Sequence, residues 1–72
     1  MNKSTIRDLI KRAEELSDEI QSMSDDEQAD WDERSERWQD SDRGQDAQQA
    51  IDQLAEVADS ISDAVSTLEE LL

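Results

Sequence analysis

From Ile6 to Met23 the apolar positions fall at Ile6, Leu9, Ala13, Leu16, Ile20 and Met23, in alternating steps of three and four. That alternation is the a/d pattern of an amphipathic helix, kept for three heptads. Ile10 widens the stripe at its start. Ser4 or Thr5 stands where an N-cap is needed. Beyond Met23 the pattern fades, because the next a and d positions are Glu27 and Asp30. Ser24 followed by Glu27 has the spacing of a capping box and so of a new helix. No glycine or proline separates the two stretches, which favours one continuous helix with a solvated end.

The second half repeats the pattern more strongly. Ala47, Ile51, Leu54, Ala58, Ile61, Val65, Leu68 and Leu72 alternate steps of four and three, and Ala50, Val57, Ala64 and Leu71 run beside them one position earlier in each heptad. The stripe is therefore wider than a two-stranded seam and must meet more than one neighbouring helix. Between the halves, Gln39-Asp40-Ser41-Asp42-Arg43-Gly44 is the one turn-like stretch. Ser41 can cap the following helix, or Gly44 can end the preceding one as its C′ residue.

These patterns predict an all-α protein with one domain over residues 1–72: a helix over about 5–33, a reversal within 34–44 and a helix over about 45–72. Two helices of this length, each ~42 Å long, form an antiparallel helical hairpin. One hairpin cannot cover the wide second stripe, so the expected assembly is a homodimer that closes into a four-helix bundle. Its interface is expected from Leu9, Leu16 and Ile20 of the first helix and Ile51, Leu54, Val57, Ala58, Ile61, Val65, Leu68 and Leu72 of the second.

Composition sharpens this picture. A chain of 72 residues has a marginal core by itself and needs a staple such as a disulfide, a metal or self-association. There is no cysteine and no histidine. That removes disulfides, thiolate metal sites and the commonest general base, and leaves self-association. No catalytic constellation and no cofactor site is expected, and the protein is read as a non-enzyme. Asp40-Ser41-Asp42-Arg43-Gly44 has some likeness to the start of a calcium loop, but the glycine stands fifth rather than sixth and Ile51 occupies the twelfth position, where a bidentate glutamate is required. No metal site is assigned.

The net charge is −14, from 21 acids and 7 bases. That excludes direct nucleic-acid binding and association with anionic membranes. No stretch approaches the ~18 apolar residues of a membrane span, and the N-terminal residues lack the apolar region of a signal peptide, so a soluble intracellular protein is expected. Lys3, Arg7, Lys11 and Arg12 open the first helix, whereas residues 44–72 hold no base and seven acids. An antiparallel hairpin sets these opposite charges side by side.

Two groups are candidates for partner binding. Asp52, Glu56, Asp59 and Asp63 form an outward row with about one helical turn between neighbours. Such a row is either an ordinary solvated helix face or a phosphate-like series suited to the nucleic-acid groove of another protein. Asp25, Asp26, Glu27, Asp30, Asp32 and Glu33 form a second acidic run, with the same solvated reading. Trp31 and Trp38 either pack over the reversal, as large aromatics usually do, or one of them is exposed and anchors a partner.

The stretch Trp31-Asp-Glu-Arg-Ser-Glu-Arg-Trp-Gln-Asp-Ser-Asp-Arg-Gly44, followed by Ala47, Ile51 and Leu54, resembles a group of short acidic proteins encoded by phages and other mobile elements. In many of them a Met-Pro-Glu-Asn-like segment precedes the turn, where this chain has Arg34-Ser35-Glu36-Arg37. The resemblance covers about half the chain. It implies two helices around the turn and a phage setting, hence the cytoplasm of a bacterial host. The expectation is an acidic protein-binding module that docks on a host or phage protein with a basic surface, such as a nucleic-acid-binding defence protein, and inhibits or modulates it. The alternative is a structural or oligomerisation module with no inhibitory role.

Overall fold

The computed structural model describes residues 2–72 and contains three helices: α1 (Lys3–Asp32), α2 (Glu36–Gln39) and α3 (Asp42–Glu69). α1 and α3 pack along their length as a hairpin, giving a rod of 54 × 15 × 12 Å. α1 begins two residues earlier than a Ser4 cap would set it and three earlier than a Thr5 cap: Asn2 is the N-cap, its Oδ1 accepting from Ser4 N at 2.7 Å. α1 then runs unbroken past Ser24 and Glu27.

The face that α1 turns towards α3 keeps Ile6, Ile10, Ala13 and Ile20 of the expected stripe but not Leu9, Leu16 or Met23. Ile6, Ile10, Ala13, Ser17, Ile20 and Ser24 line it, while Leu9, Leu16 and Met23 are 38%, 49% and 54% exposed. Ile6, Ile10 and Val65 form the buried cluster near the open end, with Ala13 and Leu68 against it. Farther along, small residues replace large ones, and polar groups complete the contact. Ser17 Oγ donates to Ala58 O at 2.9 Å and lies 3.1 Å from Ser62 Oγ. Ser24 Oγ donates to Ile51 O at 3.2 Å. Small side chains let the helix backbones approach, and each buried hydroxyl then meets a carbonyl oxygen, so among the described residues no buried side-chain polar atom is left without a partner. Sequence pattern favours the larger Leu16 and Met23 for this face; close approach of the helices favours the serines one position on.

The reversal is built from caps. Ser35 caps α2 by accepting from Trp38 N at 3.2 Å, and Ser41 caps α3 by accepting from Gly44 N at 3.2 Å. Of the two roles open at this turn, Ser41 therefore takes the N-cap, and Gly44 lies within the first turn of α3 rather than closing the helix before it. Gln39 Nε2 reaches back to the carbonyl oxygens of Trp31 and Arg34, at 3.0 and 3.2 Å, and so satisfies the frayed end of α1. Asp42 onward is helical, which leaves no calcium-type loop at 40–51.

Candidate functional site: one apolar and one acidic face

The two flanks of the hairpin differ in chemistry. Relative to the buried line of each helix, Leu9, Leu16 and Met23 on α1 and Ala50, Val57 and Ala64 on α3 are rotated to the same side, at about 100° per residue, and Leu71 follows in the turn just past the end of α3. All seven are exposed. Between these stripes and the buried line run Ala47, Leu54, Ile61 and Leu68, each partly covered. The result is a broad apolar face along the rod. Of the residues expected in an interface, Leu9, Leu16, Val57 and Leu72 are exposed, Ile20, Leu54, Ile61 and Leu68 are partly covered, and Ile51, Ala58 and Val65 are buried between α1 and α3 of the same chain.

At the turn end this face opens into a groove of about 370 Å³, lined by Met23, Trp31, Arg34, Trp38, Ala50 and Leu54 among others. Trp31 is half-buried and its Nε1 donates to Gly44 O at 2.7 Å, which ties the last turn of α1 to the first turn of α3. Trp38 is also half-buried, with the Arg34 guanidinium 4.5 Å from its ring centroid. Both tryptophans thus close the turn, and both still offer part of a ring to the groove.

The opposite flank is polar. Gln28 and Gln48 exchange side-chain amide hydrogen bonds at 3.0 and 2.8 Å, and Gln48 Nε2 also donates to Asp52 Oδ1 at 3.0 Å. Asp52, Glu56, Asp59 and Asp63 are all exposed and continue this flank along α3. Among the described residues one ion pair forms, Arg12 Nε to Asp8 Oδ2 at 3.2 Å, and it lies within α1. No ion pair joins α1 to α3 among the described residues, so the hairpin is held by packing and by the serine, glutamine and tryptophan hydrogen bonds rather than by the charge placement.

The buried serines and the Gln39 cap carry no signal in hydrophobic spacing and emerge only from the geometry. Among the described residues no helix is long and apolar enough to cross a membrane. The chain matches no protein-family model, no curated protein and no solved structure.

Proposed function

We propose that the protein is a phage-type acidic binding module, a homodimeric four-helix bundle that docks its carboxylate face on a basic surface of a host protein and inhibits or modulates it. The carrying observation is the unneutralised acidic flank: Asp52, Glu56, Asp59 and Asp63 stand exposed on one side of a chain of net charge −14. A dense carboxylate array with few internal counter-ions attracts a basic groove over several ångströms and speeds encounter with it. The nucleic-acid grooves of defence proteins are surfaces of that kind.

The dimer rests on area. The chain exposes 5524 Å², whereas a compact folded monomer of 8.2 kDa exposes about 4,500 Å². The excess, about 1,000 Å², is enough for the ~800 Å² that each partner buries in a standard interface, and the exposed apolar face is the surface such an interface would cover. Covering that face leaves the acidic flank outward on both copies.

The test is capture from bacterial lysate on immobilised wild-type protein and on the charge-reversed variant Asp52→Lys, Glu56→Lys, Asp59→Lys, Asp63→Lys. A partner held by the wild type at low salt, released by high salt and not held by the variant supports the reading. A partner held equally by both proteins, at any salt, overturns it. A second reading, a structural oligomerisation module, is favoured by the apolar face alone, and it expects assembly to be unchanged by the charge reversal and no partner to be lost with it.

A further inference from the structure

We infer that the second copy lies head to tail, with its turn beside the open end of the first, and that Leu71 of each copy fills the turn-end groove of the other. The inference rests on the dimer reading above and adds its orientation, register and the contents of the groove.

The register follows from where the two stripes are centred. On α1 the stripe Leu9, Leu16, Met23 is centred on Leu16. The second stripe, Ala50, Val57 and Ala64 on α3 with Leu71 just past its end, is centred midway between Val57 and Ala64. Ser17 Oγ, bonded to Ala58 O and beside Ser62 Oγ, puts the middle of both stripes at one level of the rod. A two-fold axis through that level, in the plane of contact and across the rod, therefore superposes each stripe on its own copy with the direction reversed. Leu16 meets Leu16, Leu9 meets Met23, Val57 meets Ala64 and Leu71 meets Ala50. Along the second stripe each larger side chain faces a smaller one, the condition for interdigitation at interior density. Ala50 is, with Ala47, one of two small residues lining the groove, and Leu71, 56% exposed, is the projecting one.

The other closed arrangement places both turns at the same end. The groove then meets the partner's groove, and Leu71 meets the start of the partner's α1. Charge opposes this arrangement too. Residues 23–52, the turn half of the rod, hold eleven acids and three bases, whereas residues 1–12 and 63–72, the open end, hold four of each. Same-end packing brings two strongly negative halves together. Head-to-tail packing sets each beside a balanced end, with Lys3 and Arg7 at the level of the partner's acidic run.

The absence of cysteine allows a single spin label at exposed Arg37→Cys in the turn. Light scattering on the labelled protein reports whether a dimer exists, and pulsed electron resonance reports its orientation. Head to tail, the two turns lie ~50 Å apart, about the length of the rod; with the turns at one end they lie ~20 Å apart. A dimer with the short distance overturns this inference and leaves the dimer reading standing, whereas a monomer at high concentration overturns both. A size exchange tests the groove. Ala50→Leu and Leu71→Ala should each weaken the dimer about tenfold or more, and the pair together should recover most of that loss. Losses that simply multiply in the double variant exclude Leu71 from the groove.

Discussion

Gly44 is buried where the first turn of α3 passes beneath the end of α2, and a Cβ built on it would stand 2.1 Å from the carbonyl oxygen of Trp38 and 2.6 Å from that of Gln39. Its φ is negative, so the position needs glycine for space and not for a left-handed backbone. Alanine is otherwise preferred to glycine within a helix by about 1 kcal/mol. Here the obstructing atoms are backbone, and neither chain segment can yield without losing the Ser41 cap or the Trp31 bond to Gly44 O. Gly44→Ala is therefore expected to destabilise the protein by about 2 kcal/mol or more, a fall in Tm of roughly 10 °C for a domain of this size, read by circular dichroism at matched protein concentration. An unchanged or raised Tm would show that the turn does not close as tightly as described. The sequence marked this residue as part of the reversal from its company of Gln39, Asp40, Ser41 and Asp42. It left the role of Gly44 open between cap and helix, because a glycine required for close approach looks, in sequence, the same as one required for a positive φ.

At the scale of the helices, the contact between α1 and α3 turns on a rotation of one residue. Spacing showed correctly that α1 and α3 are long amphipathic helices in a hairpin, and Ile6, Ala13 and Ile20 belong to the buried line under either rotation. The spacing draws the stripe through Leu16 and Met23, while the face against α3 buries Ser17 and Ser24 instead. α1 carries apolar residues on two sides, Ile6 and Ile10 against α3 and Leu9, Leu16 and Met23 exposed, and counting apolar residues cannot tell which side meets the helix of the same chain. Two substitutions separate them. Ser17→Ala with Ser24→Ala removes the hydroxyls that donate a second hydrogen bond to Ala58 O and Ile51 O, each worth ~1 kcal/mol. That variant should lose about 1–2 kcal/mol in urea unfolding, the worth of two second hydrogen bonds to carbonyls that keep their helical N–H partners, while self-associating as before. Leu16→Ser with Met23→Ser should do the reverse, weakening self-association about tenfold or more with little change in the stability of the isolated hairpin, as read by light scattering and by unfolding at high dilution. If the leucine and methionine pair instead governs unfolding of the dilute chain, the buried line of α1 has been assigned to the wrong rotation.

For the whole molecule, the two proposed contacts respond to salt in opposite directions. Each copy carries a net charge of −14, so bringing two copies together works against long-range repulsion even when individual ends are matched. Raising ionic strength from about 0.01 M to 0.15 M shortens the screening length from ~30 to ~8 Å, and with it the reach of that repulsion, while burial of Leu9, Leu16, Val57 and Leu71 is barely touched. The dimer should tighten with salt. Docking of the acidic flank on a basic partner is an attraction between opposite charges at an exposed surface, and the same screening should loosen it and slow its association most of all. Measuring both on one protein sample, self-association by sedimentation and partner capture by surface binding across a salt series, separates the faces without any substitution. Opposite slopes fit one face for assembly and another for work. If both contacts weaken together as salt rises, self-association is itself driven by opposite charges, and the apolar face along Leu16 and Val57 is not what holds the copies together.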